Sequence, residues 1–152
     1  MGRKRKGQPG YHVVAGLDLA EEMERLRALP AFGGGELAER RPELRIRRAS
    51  RRPNRVGFAI PAEWRISVTD YPGIRLGDAQ ETLLHEMVHL HVGEGRGRRR
   101  WHGPEFRRAL HHAMREGYGV EIDPPRTVLH GTYAEAIERS RGPEQLEFPL
   151  AA

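Results

Sequence analysis

One helical stretch constrains the fold and the chemistry of this chain more than any other feature. Asp78 has the form of a helix N-cap, and the helix is expected to run to about Val92 and to end at Gly93. At about 100° per residue, its apolar residues point one way while His85 and His89 point the other. The apolar residues of this helix are Leu83, Leu84, Met87 and Leu90. Two histidines therefore leave the apolar face of one helix together.

Histidines at positions i and i+4 of a helix can bind one metal ion. Their side chains start about 6 Å apart, so both ring nitrogens can reach one Zn²⁺. Glu86 projects about 100° around the helix, where it can hold a water on the metal and act as general base. The HExxH motif His85-Glu86-Met87-Val88-His89 thus predicts a hydrolase with one catalytic Zn²⁺. The alternative is two ordinary histidines at the edge of the core, matched to the motif by chance.

A catalytic zinc ion needs a third protein ligand, which the cysteine-free composition limits to His, Asp or Glu. The residue six positions after His89 is Gly95, so a third histidine at that spacing is excluded. Three residues remain as alternatives: Glu105, Glu116 and His102, which starts a second helical segment. The spacing alone does not choose among them.

Three short runs alternate between apolar and polar residues with period two and predict antiparallel strands. Their apolar positions are Leu44 and Ile46, then Val56, Phe58 and Ile60, then Ile66 and Val68. Because Arg45 and Arg47 alternate with the first pair, a solvated basic sheet face is expected opposite the core.

Three further helices are predicted from caps, breakers and apolar spacing. They run from Asp18 to Pro30, from Gly103 to Gly117 or Gly119, and, more weakly, from Tyr133 to Arg139.

The length of 152 residues suits one compact domain with tails. Residues 1–10 are basic and Gly-containing and are interpreted as a flexible tail, residues 11–141 as the domain, and residues 142–152 as an extended C-terminal tail. No stretch approaches the roughly 20 apolar residues that cross a bilayer, and no hydrophobic signal core follows the basic start. A cytoplasmic monomer without a membrane partner is expected.

Arginines are concentrated in two clusters. Residues 40–55 contain eight arginines and the single acid Glu43, and a second cluster spans residues 96–100. This distribution favours a nucleic-acid partner and association with the nucleoid. The expected contacts are Arg45, Arg47, Arg51, Arg52, Arg98, Arg99 and Arg100. The alternative is an arginine-rich composition on ordinary solvated faces.

The C-terminal tail carries apolar residues where a solvated tail should be polar. Gln145, Leu146, Phe148 and Leu150 are similar to the short peptide by which bacterial proteins dock on the replication sliding clamp. The alternative is that these residues pack on the domain's own core.

Two motifs in this order resemble a known family. The segments from Thr82 to His89 and from His102 to Phe106 are similar to the SprT-like metalloproteases, the family of Spartan, and the resemblance extends from Leu37 to Gly119. It implies that His102 is the third zinc ligand and that Glu86 is the catalytic base. It also implies an α+β, minimal zincin-like fold, with helices packed on a small antiparallel β-sheet and the HExxH motif on the central helix.

Spartan-type members of that family cleave proteins crosslinked or tightly bound to DNA, and DNA binding activates the protease. The resemblance therefore implies a zinc metalloendopeptidase in DNA repair, with DNA and protein substrates as partners. This chain departs from many relatives because, without cysteine, it has no cysteine-based zinc ribbon, so any DNA dependence rests on its arginines. Two alternatives stay open: a basic DNA-binding module with a structural or vestigial zinc site, and a zinc peptidase without nucleic-acid dependence.

Overall fold

The computed structural model describes residues 5–93, 103–121 and 133–140, which form an α+β fold with small sheets. The strands are β1 (Val13–Val14), β2 (Leu17–Asp18), β3 (Glu43–Arg48), β4 (Gly57–Ile60) and β5 (Arg65–Asp70). The helices are α1 (Leu19–Arg27), α2 (Glu36–Glu39), α3 (Leu76–Val92), α4 (Pro104–Tyr118) and α5 (133–140). Short 3₁₀ turns cover Pro30–Phe32 and Pro61–Glu63.

The larger sheet has the strand order β3-β5-β4 and is mixed, which corrects the expected antiparallel sheet. The strands β4 and β5 form an antiparallel hairpin around Pro61–Glu63, whereas β3 pairs with β5 in parallel, with Leu44 opposite Ile66. The physical reason is the connection 49–56, which leaves room for β5 to enter between β3 and β4. The strands β3, β4 and β5 alternate in direction along the chain, so β3 and β5 run the same way and pair in parallel when they lie side by side.

The side-chain alternation of β3 is as expected. Leu44 and Ile46 are buried against the core, whereas Arg45 and Arg47 are exposed on the outer face. The apolar face of the sheet packs on α3, so the sheet covers one side of that helix.

The caps explain where the first and third helices begin. Asp18 accepts a hydrogen bond from the backbone N–H of Ala20 at 2.9 Å and caps α1 as expected. By contrast, α3 begins before Asp78, whose carboxylate instead accepts the backbone N–H of Arg75 at 2.9 Å. Asp78 therefore lies inside the first turn, and Arg75 is the N-cap residue. Gly93, with φ of 82°, ends α3 as expected.

The helix α3 lies at the centre of the fold. Every residue from Ala79 to Leu90 is buried, because β4, β5, α1 and α4 all pack around it. The polar side of α3 is therefore covered as well as its apolar side. This arrangement puts the two histidines in the interior, where the sequence suggested only that they leave the apolar face.

The helices α4 and α5 complete the described structure close to their expected positions. Pro104 is the first residue of α4, and Gly119, with φ of 68°, ends it. Phe106, Leu110 and Ala113 form its buried face.

The helix α5 is held on α3 by carboxylates that the two helices exchange. Glu81 of α3 accepts the backbone N–H groups of Tyr133 at 2.6 Å and Ala134 at 3.2 Å. In return, Glu138 of α5 accepts the backbone N–H of Gly77 at 2.6 Å. Each helix thus satisfies free donors at the start of the other. In the parts of the chain that the structure describes, no helix is both long and apolar enough to cross a membrane.

Candidate metal centre

One turn of α3 carries the three side chains of the candidate metal centre. His85, Glu86 and His89 are only 4 %, 3 % and 2 % exposed. Each offers one ligand atom, and these atoms all lie within 4.8 Å of one another. The two imidazole rings have their centroids 4.9 Å apart and meet at 71°. Within the described residues, no other group of three histidine or acidic side chains comes together in this way.

Phe106 of α4 packs against both histidines. Its ring stacks on His89 with centroids 4.2 Å apart and an interplanar angle of 23°, and it meets His85 at 5.0 Å. Such packing limits the rotamers of both imidazoles and so orients their ring nitrogens. The sequence pattern gave Phe106 no role at the site. Its place four residues after His102, within the second motif, was the available signal for a role at the site.

Gly57 at the start of β4 makes room for the carboxylate of Glu86. A Cβ atom at this position would lie 3.3 Å from Glu86 Oε2 and 2.5 Å from Thr82 Cγ2. A side chain there would push into the site, since contacts under 3.0 Å force a shift. The sequence pattern places Gly57 in a strand and gives no sign of this close approach to α3.

The side chain of Glu86 is buried. Burial raises the pKa of Glu86 to about 8, although the positive charge of Arg55 acts in the opposite direction. No described residue donates a hydrogen bond to Glu86. In the absence of a nearby cation, this carboxyl group therefore keeps its proton to a higher pH than an exposed glutamate does.

The structure narrows the alternatives for a third ligand. Glu116 accepts the backbone N–H of Ala31 at 2.8 Å and pairs with His112 at 3.0 Å, so its carboxylate is engaged away from the cluster. Glu105 is exposed at the start of α4. His102 lies outside the described residues.

The predicted nucleic-acid contacts differ in their surroundings. Arg45 forms an ion pair with Glu43 at 2.7 Å. Arg47, Arg51 and Arg52 are exposed, and none of them lies within ion-pair distance of a described carboxylate. The remaining predicted contacts lie outside the described residues: Arg98, Arg99 and Arg100, and the docking residues Gln145, Leu146, Phe148 and Leu150.

Comparison with known proteins gives one match. The family model described as SprT-like family matches residues 30–126, well over half of the chain and including α3, α4 and the larger sheet. No curated protein and no solved structure matches the chain significantly.

Proposed function

Since the chain belongs to the SprT-like family, we propose that it is a zinc-dependent endopeptidase whose substrates are proteins bound or crosslinked to DNA. The observation that carries the catalytic part is the buried cluster of His85, Glu86 and His89 on the central helix. Two ordinary core histidines would not explain why a carboxylate is buried beside them with no hydrogen-bond donor among the described residues.

The donor set fits zinc. Two imidazoles one helical turn apart, in a cysteine-free chain, are ligands that zinc accepts in catalytic sites. We assign the third ligand to His102, because α4 begins two residues after it and places Phe106 on both histidine rings. When bound, the ion supplies a Lewis acid and lowers the pKa of a water molecule toward neutrality.

Glu86 is the general base in this proposal. Its carboxylate takes the proton of the attacking water and delivers it to the nitrogen of the leaving amine. Because no described residue donates a hydrogen bond to it, its oxygens are available to accept this proton. The absence of a side chain at Gly57 lets β4 approach Thr82 and Glu86 of α3 without a clash.

The strand β4 suits an extended peptide substrate. Among the described strands it pairs only with β5, so its other edge has free backbone donors and acceptors. An extended peptide can add to such an edge by main-chain hydrogen bonds. Because β4 starts at Gly57, beside Glu86, a peptide on this edge passes the proposed catalytic base. This geometry favours an endopeptidase.

Cleavage and metal content together test the proposal. Zinc-loaded full-length protein should cleave casein or histone, and duplex DNA should stimulate histone cleavage in a manner lost at high salt. His102→Ala should lose most of its zinc by metal analysis while keeping the far-ultraviolet circular dichroism of the wild type. Full zinc occupancy in His102→Ala would move the third ligand elsewhere. Absence of hydrolysis of any DNA-binding protein, with or without DNA, would reject the protease function.

A further inference from the structure

We propose that the phosphodiester backbone of a nucleic acid binds an arginine surface formed by Arg47, Arg51, Arg52 and Arg55, beside the metal centre. The inference rests on the proposed function for its biological purpose, but it concerns binding and is tested without proteolysis.

Ion pairing separates these four arginines from their neighbours in the sequence. The neighbouring pairs are Arg40 with Glu36 at 2.9 Å, Arg41 with Glu24 at 3.2 Å, Arg45 with Glu43 at 2.7 Å, Arg48 with Asp70 at 3.5 Å, and Arg65 with Glu63 at 2.9 Å. No carboxylate in the described part of the chain lies within 4.0 Å of a guanidinium of the arginine surface. Apart from a longer-range attraction between Arg52 and Asp78, the positive charge of these four arginines is available to an external anion, whereas each neighbour forms a direct ion pair.

The sheet register brings the arginine surface together at one end of the sheet. Arg47 lies opposite Thr69 of β5, and the backbone N–H of Thr69 donates to the carbonyl of Val56 at 2.9 Å. The end of β3, the end of β5 and the start of β4 thus meet. The connection 49–56, which carries Arg51, Arg52 and Arg55, leaves from this same end.

Aromatic rings hold three of the four guanidinium groups. Arg47 and Arg55 lie 5.9 Å and 5.1 Å from the ring centroid of Phe58, and Arg52 lies 5.8 Å from that of Tyr71. Stacking restricts a long side chain while leaving its N–H groups able to donate to phosphate oxygens. Less conformational entropy is then lost when an anion binds.

A concavity at the connection 49–56 is lined by several side-chain donors and by no acidic residue. It has a volume of about 620 Å³ and is lined by residues 48–54, which include Ser50, Arg51, Arg52 and Asn54 but no acidic residue. A phosphate oxygen is the type of acceptor that this set lacks.

The position of Arg55 joins this surface to the proposed cleavage site. Arg55 lies two residues before Gly57, where a Cβ atom would be only 3.3 Å from Glu86 Oε2. Several guanidinium groups spread along one sheet end match a chain of regularly spaced phosphates better than a single small anion. A strand bound there would hold a DNA-attached protein next to the metal centre.

Two adjacent arginine pairs provide a matched test. Arg51→Gln/Arg52→Gln removes two unpaired charges, and Arg40→Gln/Arg41→Gln removes two ion-paired ones, with the same change in net charge. Fluorescence anisotropy would measure binding of a labelled 20-nucleotide single strand and its duplex to full-length, zinc-loaded protein. The first variant should bind at least about tenfold more weakly, with a salt slope on duplex DNA smaller by about 2, while the control stays within about twofold of the wild type.

Three results would overturn the arginine surface. The first is an equal loss of DNA affinity in both variants, which would indicate general charge attraction. The second is absence of DNA binding by the wild type. The third is displacement of DNA by polyglutamate as readily as by unlabelled DNA. Thermal unfolding of each variant confirms that it is folded. Because binding is read without cleavage, intact DNA binding in a chain that hydrolyses no protein would reject the proposed function and leave the surface standing. Casein cleavage without selective DNA binding would support the protease function and reject the arginine surface.

Discussion

Glu22 and Glu86 are both almost completely buried, at 6 % and 3 % exposure, but their surroundings are opposite. Glu22 accepts hydrogen bonds from Arg25 at 2.7 Å, Gln80 at 3.0 Å and Tyr118 at 2.6 Å. Burial alone would raise the pKa of Glu22, but these donors outweigh it and lower the pKa below its usual value. Glu86 has no donor among the described residues, and its pKa is raised to about 8.

This difference distinguishes a carboxylate that stabilises the fold, Glu22, from one suited to act on a ligand or substrate, Glu86. The carboxylate of Glu22 ties α1 to α3 and α4, since its donors come from all three helices. A buried carboxylate without donors stabilises nothing and costs free energy when it ionises. Its retention on the central helix is understandable if it acts on a ligand or substrate.

The largest effect should come from Glu86→Gln. Cleavage should fall at least about 1000-fold, because the amide cannot accept the proton of the attacking water. Zinc content should remain, since the histidine ligands are unchanged. Peptide cleavage measures the activity, and metal analysis measures the zinc content. Glu22→Gln serves as the buried control and should retain cleavage per folded molecule. Retained cleavage in Glu86→Gln would show that Glu86 is not the catalytic base and does not differ from Glu22 in this respect.

The same variant has a second signature in metal-free protein. The pKa of Glu86 is raised in the folded state, so the group carries no ionisation cost below pH 4.5, and folding becomes less favourable as the pH rises from there through about 8. Thermal unfolding of metal-free wild type should therefore show a midpoint that falls over this range. Glu86→Gln should show a flatter profile.

The next largest effect concerns stability. Glu22→Ala should lower the free energy of unfolding by about 3–5 kcal/mol, because it leaves buried donors and the Arg25 charge without their partner. Glu24→Ala, on the same helix but exposed, is the control and should cost less than about 1 kcal/mol. Urea unfolding measures both. Equal losses in the two variants would show that the Glu22 network is not what joins the helices.

A third buried carboxylate, Glu81, sharpens the distinction. Because it accepts two backbone N–H groups of α5, it should behave as a structural acid. Glu81→Gln should cost about 1–3 kcal/mol and should speed amide hydrogen exchange of Tyr133 and Ala134 more than exchange in α4. Glu135→Gln, which removes only an exposed pair with Arg75, is the control. Unchanged exchange in Glu81→Gln would contradict the capping role.

The smallest effect is the acid response of Glu22. Its pKa is lowered in the folded state, so its stabilisation is present above pH 4.5 and is lost as the pH falls through the folded pKa. Between pH 5 and pH 3 the unfolding midpoint of the wild type should therefore fall by a few degrees more than that of Glu22→Gln. Parallel curves would show that the hydrogen bonds to Glu22 do not favour its ionised form.

Local patterns predicted the parts of the site that one helix supplies. His85, Glu86 and His89 share a single turn of α3, and caps such as Asp18 and Gly93 act within a few residues of their positions. The family relationship was predicted from the same local motifs and is confirmed. Asp78 was placed at the wrong cap position because a carboxylate can reach the helix start from either the N-cap or the first turn.

Long-range pairings could not be read in this way. Alternation in β3 shows which face is buried but not which strand lies beside it, so the parallel pairing with β5 was missed. Two of the three donors to Glu22 come from positions 58 and 96 residues away, and Gly57 approaches Glu86 across the sheet-helix interface. No periodicity within one segment carries such information.

The exchange of carboxylates between α3 and α5 has a consequence for how the chain unfolds. A Cβ atom on Gly77 would lie 2.8 Å from the carbonyl oxygen of Ala134, so the two backbones are in close contact. If either helix unfolds as far as its sixth residue, Glu81 or Glu138, the other loses its cap, so we expect the two helices to unfold as one cooperative unit. Because α5 follows the family-matched residues 30–126, loss of the chain beyond that region would be felt at the first turn of the helix that carries the metal centre.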